Sequence, residues 1–256
     1  MKLSNIYPSL SQKVVLITGG ASGIGASLVE SFCRQQATVC FIDIQDQAAA
    51  ELIARVSSIN NATTPVYYPC DLSITEELKR TVARAIKQFG RVDVLINNAA
   101  NDTRHDFRDI DEAYWDSRIQ LNLRHYFFAI QAVFDSMKKN QAGAIINMGS
   151  MSWHACQGGM TGYTTSKAAI EGLTRGLARD LAKDNIRINT LVPGWVMTER
   201  QKAEWLDADA LESIARNQCL TSELKPEHIS AMALFLASDD SAMCTAQNFI
   251  VDGGWI

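Results

Sequence analysis

The chain has 256 residues, 47% of them hydrophobic, and its 24 basic against 28 acidic residues leave a formal net charge of -4. That length suits one large α/β domain with a full core, and without a basic surplus nothing argues for nucleic acid or an anionic membrane as partner. No apolar run approaches the ~20 residues of a membrane span, and MKLSNIYPSLSQ lacks the continuous apolar stretch of a secretory signal, so the expected compartment is the cytoplasm.

The predicted elements alternate. VVLIT (14–18) reads as a strand and passes through TGGASGIG (18–25) into a helix whose apolar positions Ile24, Leu28 and Phe32 recur every fourth residue. TVCFID (38–43) is the second strand and PVYYPCD (65–71) the third. Pro65 and Pro69 cannot donate to a ladder, which places the third strand at an edge. A helix carrying Leu78, Val82 and Ile86 leads to VDVLINN (92–98). Residues 112–139 read as helical, with Ile119, Tyr126 and Ile130 as an apolar stripe that Asn122 interrupts. AIINMGS (144–150), a helix over 162–183, RINTLVP (187–193) and FIVDGG (249–254) complete the pattern.

The strand-like runs mostly lack polar alternation, as strands buried on both faces do. The expected fold is α/β: a doubly wound, seven-stranded parallel sheet of order 3-2-1-4-5-6-7 with helices on both faces. The six cysteines (33, 40, 70, 156, 219 and 244) show no CxxC and no metal-ligand spacing, so we expect them reduced and mostly buried, with no metal site.

Distinctive polar and glycine residues cluster where strands end: Thr18-Gly19-Gly20, Asp43, Asp71, Asn97-Asn98, Gly149-Ser150 and Pro193-Gly194. Open parallel sheets bind ligands at that edge. Gly19, Gly23 and Gly25 allow a tight turn, close backbone approach to a diphosphate and close packing of helix on strand. Asp43, 18 residues after Gly25, can accept hydrogen bonds from ribose hydroxyls and would repel a 2′-phosphate, which favours NAD over NADP. Asp71 suits either the adenine edge or a helix N-cap.

Tyr163 and Lys167 fall one helical turn apart, and a nearby positive charge favours phenolate, so the tyrosine can act as a base toward an alcohol. Ser150 can hold the substrate oxygen beside it, and Asn122 can hold a water near Lys167.

With TGGASGIG, CDL (70–72), NNAA (97–100), Asn122, Ser150, YTTSK and PGWVMT (193–198), the chain resembles the short-chain dehydrogenase/reductases over essentially its whole length. The resemblance implies a Rossmann-type fold in one dinucleotide-binding catalytic domain over 1–256, with a substrate-covering segment near 195–220, and a catalytic tetrad of Asn122, Ser150, Tyr163 and Lys167, with Lys167 also on the nicotinamide ribose. It implies cofactor contacts from Gly19, Ser22, Gly23, Ile24, Gly25, Asp43, Asp71, Leu72, Asn98, Pro193, Gly194, Val196 and Thr198, and a homotetramer or homodimer. Ala100 departs from the family's usual glycine.

NNAANDTRH (97–105), SMSWH (150–154), NQCL (217–220) and LFLASDDSAMCTAQNFIVDGGW (234–255) resemble one branch, the bacterial aldose 1-dehydrogenases. These oxidise the anomeric hydroxyl of a cyclic sugar to a lactone. The sugar would then meet Asn101, Arg104, Ser150, Trp153, His154, Tyr163, Trp195 and Trp205, with Trp255, His105 and Gln157 as further candidates. Two other readings remain: the same chemistry on a sugar acid, polyol, 3-hydroxyacyl thioester or steroid, and a non-catalytic NAD-binding regulatory protein.

Overall fold

The computed structural model describes residues 5–256. The first half of the chain forms β1 (Val14–Thr18), α1 (Gly23–Arg34), β2 (Thr38–Asp43), α2 (Asp46–Ser57), β3 (Val66–Pro69), α3 (Thr75–Phe89) and β4 (Val94–Asn97). α4 (Glu112–Ile119) and α5 (His125–Asn140) follow, then β5 (Gly143–Met148), α6 (Thr161–Ala182) and β6 (Ile186–Pro193). The chain continues through α7 (Glu199–Glu204), α8 (Ala208–Asn217) and α9 (Pro226–Ala237) to β7 (Asn248–Val251).

The strands make one sheet, β3-β2-β1-β4-β5-β6-β7, with every neighbouring pair parallel. This is the expected order, with the proline-bearing β3 at an edge. β1 and β4 are buried along their whole length, because helices cover both faces of the sheet. One core packs α1, α2 and α9 against one face, through residues such as Phe32, Phe41 and Leu234. The other packs α3, α5 and α6 opposite, through Leu78, Val133 and Leu181.

Two expectations need correction. The helix over 112–139 runs without a break but is not regular, because Gln120–Arg124 form a π turn between α4 and α5. That wider turn re-phases the helix: α4 buries no residue, whereas α5 buries six, including Tyr126 and Met137. The cysteines are not mostly buried either. Cys33, Cys40 and Cys70 are, but Cys156 and Cys219 are exposed in loops near the carboxyl edge, and all six are free thiols.

Several predicted strands run past the observed ones. The excess residues, among them Asp71, Asn98 and Ser150, belong to loops at the carboxyl ends of the strands. Those loops bound the cleft described next.

Candidate active site

A cleft of about 1690 Å³ runs along the carboxyl edge of the sheet. Its lining joins Gly19, Ser22, Gly23, Ile24, Gly25 and Asp43 to Asp71, Leu72 and Asn98. Tyr163, Lys167, Pro193, Gly194, Val196 and Thr198 complete the residues brought together as expected.

At one end β1 turns into α1. Gly19 has φ 65° and packs so tightly on Ala99 that a Cβ would stand 2.7 Å from the Ala99 Cα. A Cβ on Gly25 would stand 1.8 Å from the Gly19 carbonyl oxygen. The backbone is therefore bare where the helix begins. Ser22, the residue before α1, makes no capping hydrogen bond, so the helix N-terminus faces the cleft without a side-chain acceptor of its own. Such an end suits a diphosphate. The Asn98 amide donates to the carbonyls of Thr18 and Gly19, at 3.1 and 2.8 Å, and ties the turn to the end of β4.

Asp43, nearly buried, is held by the N–H of Ala21 at 2.9 Å and the N–H of Ile44 at 2.8 Å. Its carboxylate is thus fixed at the cleft wall. Arg34 and Arg55 also line the cleft, but both pair with Glu30, at 2.9 and 3.5 Å. Asp71 does not cap α3. Its Oδ1 accepts the Ser73 N–H at 2.9 Å, and the residue before α3 is Ile74. Ala100, exposed on the cleft, has no left-handed backbone angle, so the chain takes alanine there without strain. These features fit a nicotinamide dinucleotide.

At the other end, α6 carries Tyr163 and Lys167, with Nζ 5.5 Å from the centre of the Tyr163 ring. The protein's own groups push the Tyr163 pKa up to about 12, chiefly through burial, while the Ser150 hydroxyl's hydrogen bond draws it down and the Asp102 charge raises it. Here the expectation from spacing needs amending: with protein groups alone, the phenol is less acidic than a free tyrosine. Burial also holds Lys167 down to about 7, with Asp102 opposing. The Ser150 hydroxyl donates to Ser152 Oγ at 2.9 Å. Asn122 sits in the π turn, fully buried; its Oδ1 accepts the Asn101 N–H at 2.7 Å, and its Nδ2 has no protein partner. Isolated π turns in helices recur at functional sites.

The substrate candidates divide. Asn101, Arg104, Gln157 and Trp195 line the cleft. The buried Nε of Arg104 and Nε1 of Trp195 have no acceptor in the protein. Trp255 lies behind Trp195, their ring centres 6.4 Å apart and their planes 24° from parallel. Trp153 and His154 do not reach the cleft. Both donate to Glu171 on α6, at 3.1 and 2.9 Å, because that buried carboxylate needs partners more than an indole needs a sugar. Trp205 also stands outside the lining, where it supports Arg104, whose guanidinium lies 4.9 Å over its ring. His105 is turned to the Tyr114 hydroxyl at 3.1 Å.

Sequence reasoning missed Asp102. It joins the loop after β4 to α7 through Arg200 at 3.1 Å and Gln201 at 2.8 Å. The acid's place beside Asn101 in the same polar run was the available signal.

A parallel sheet that carries a bare glycine turn at one end of its cleft, and at the other a half-buried tyrosine with a lysine one helical turn on and a serine beside it, defines a dinucleotide-dependent oxidoreductase. The family profile described as enoyl-(acyl carrier protein) reductase matches residues 19–256. D-xylose 1-dehydrogenase of Caulobacter vibrioides is 48% identical over 252 residues, covering 98% of this chain and 99% of the relative. The Rhizobium meliloti protein named "Probable galactose dehydrogenase GalD" is 40% identical over 251 residues, covering 98% of each. A short-chain type dehydrogenase/reductase from Mycobacterium ulcerans shares the fold with a TM-score of 0.91 at 23% identity, over 96% of this chain and 90% of that one. The chain belongs to the short-chain dehydrogenase/reductase family.

Proposed function

We propose that this protein is an NAD-dependent aldose 1-dehydrogenase, which oxidises the anomeric hydroxyl of a cyclic sugar to its lactone. The observation that carries the reading is one cleft lined by Tyr163 and Lys167 together with the polar side chains of Asn101, Arg104, Gln157 and Trp195, with Ser150 hydrogen-bonded to Tyr163. Sugar hydroxyls both donate and accept, which suits the amide, guanidinium and indole groups of these residues. The likeness to a D-xylose 1-dehydrogenase and to a galactose dehydrogenase supports it.

Oxidised nicotinamide, when bound, supplies the hydride acceptor. Ser150 orients the anomeric oxygen and Tyr163, as phenolate, takes its proton as the C1 hydride leaves. Lys167 steadies the phenolate and holds the ribose, and Asn122 passes the proton onward through a water. The products are lactone, NADH and one proton. The working form is a homotetramer or homodimer in the cytoplasm.

The test is an absorbance screen for NADH or NADPH formation across aldoses, sugar acids and polyols, with NAD and NADP. Turnover of D-xylose or D-galactose with NAD is expected. Turnover of polyols or sugar acids alone would overturn the assignment, as would silence throughout.

Asp43 sets the nucleotide preference. Asp43→Ala should lower the NAD/NADP ratio of kcat/KM by ~10–100-fold, the worth of hydrogen bonds to a charged group. An unchanged ratio would remove Asp43 from this role.

A further inference from the structure

Behind the catalytic lysine lies a second tyrosine with no place in the mechanism above. Tyr126, on the first turn of α5, is completely buried. Lys167 Nζ donates to its phenol oxygen at 3.0 Å and to the Met148 carbonyl at 2.7 Å. The Tyr126 hydroxyl donates to the same carbonyl at 3.2 Å. The three groups close a triangle at the end of β5.

We propose that Tyr126 is a positioning residue for catalysis: its phenol oxygen holds the Lys167 ammonium against the Met148 carbonyl, within reach of Tyr163. This rests on the reading that Tyr163 and Lys167 carry out the chemistry.

The donor pattern makes the Tyr126 phenol the acceptor toward the lysine. An ammonium has three donors and no acceptor. Two of its protons go to Tyr126 and Met148, which leaves one for the cleft, whose wall Lys167 forms. The phenol gives its only proton to Met148 and must accept from the lysine. Burial drives the Tyr126 pKa well above its ordinary value, so it stays a neutral acceptor. The ionisable groups around the lysine come from three elements. Tyr163 shares α6, and His125 and Tyr126 face it from α5. Asp102 acts from the loop after β4. His125 is neutral, since burial pushes it to about 3 and its Nε2 contacts the Ala99 carbonyl at 3.1 Å. Asp102 already pairs with Arg200. Near neutral pH the ammonium therefore depends on Tyr126 and Met148 for direct acceptors. Without the phenol oxygen it keeps one, and it deprotonates at lower pH.

The experiment compares the wild type with Tyr126→Phe, Tyr126→Gln and Tyr163→Phe, using NAD with D-xylose or D-galactose. Tyr126→Phe should lower kcat by ~10–100-fold, the cost of a lost hydrogen bond to a charged group. Its alkaline limb in the pH profile of kcat/KM should move to lower pH. Tyr126→Gln restores an acceptor oxygen and should recover much of both. Circular dichroism and quenching of tryptophan fluorescence by NAD confirm folding and nucleotide binding. Should Tyr126→Phe not fold, the pH limb of Tyr126→Gln against the wild type decides. A glutamine variant that falls with an unshifted limb overturns the proposal, as does a phenylalanine variant with wild-type kcat and pH profile. A silent Tyr163→Phe beside a normal Tyr126→Phe defeats this inference alone. A normal Tyr163→Phe defeats the reading beneath it.

Discussion

Tyr163→Phe should lower kcat for sugar oxidation by ~10²–10⁴-fold, the usual contribution of a positioned general base. NAD binding, followed by tryptophan quenching, should stay within a few-fold, since only one oxygen is lost. Turnover close to the wild type would refute the assigned role. The pH dependence has a definite sign. Protein groups alone set the Tyr163 pKa up to about 12, so the phenolate is scarce at neutral pH, and oxidation should accelerate as pH rises until the alkaline limb, where Lys167 loses its proton. The positive charge of oxidised nicotinamide favours phenolate. The apparent pKa of the NAD complex should therefore fall below that of the free protein, which a spectroscopic phenol titration with and without NAD would measure. A pKa unmoved by NAD would mean that the cofactor's charge does not reach Tyr163.

The second large effect is expected at the glycine turn. Gly25→Ala would place a methyl carbon 1.8 Å from the Gly19 carbonyl oxygen, a backbone atom with nowhere to go. Overpacking costs about 1–3 kcal/mol, which is roughly 2–12 °C in Tm at this size. The displaced turn should also weaken NAD binding by at least ~10-fold, since the bare helix end moves with it. Gly172→Ala on α6 is the matched control, because a Cβ there meets nothing within 4 Å. It should leave Tm unchanged or slightly raised. Equal behaviour of the two variants in melting and in NAD titration would contradict the close-packing argument.

These effects concern the part of the site most legible in the sequence. Buried parallel strands lose polar alternation, and Pro65 and Pro69 mark an edge, so the order of the sheet could be reasoned out. The ligand edge was legible for a related reason: Gly19, Asp43, Asn98 and Ser150 are residue types that plain loops do not require.

Orientation of side chains was harder to foresee. Trp153 and His154 follow Ser150 closely and look like substrate contacts, yet both turn to Glu171, 17 or more residues further along the chain. Nothing local announces that a glutamate on α6 will be buried. Tyr126 looked like one rung of an apolar stripe, because periodicity records which face a side chain occupies but not what its hydroxyl meets. The π turn has the same character. The gaps of seven and four between Ile119, Tyr126 and Ile130 fit a regular helix, so one widened turn leaves almost no trace in spacing.

Asp102 and α7 have a kinetic consequence. α7 forms one wall of the nucleotide cleft, and Thr198 just before it lies near Gly23 on the opposite wall. The ion pair to Arg200 and the hydrogen bond from Gln201 tie that wall to the loop after β4. If these contacts close over a bound nucleotide, its departure has to part them. The arginine is partly exposed, at 41% of its side chain, so dissolved salt weakens the pair. Added salt should therefore speed the departure of NADH more than it alters the chemical step. A pre-steady-state burst that shrinks with ionic strength, while its rate constant holds, would show that turnover is timed by the opening of this wall.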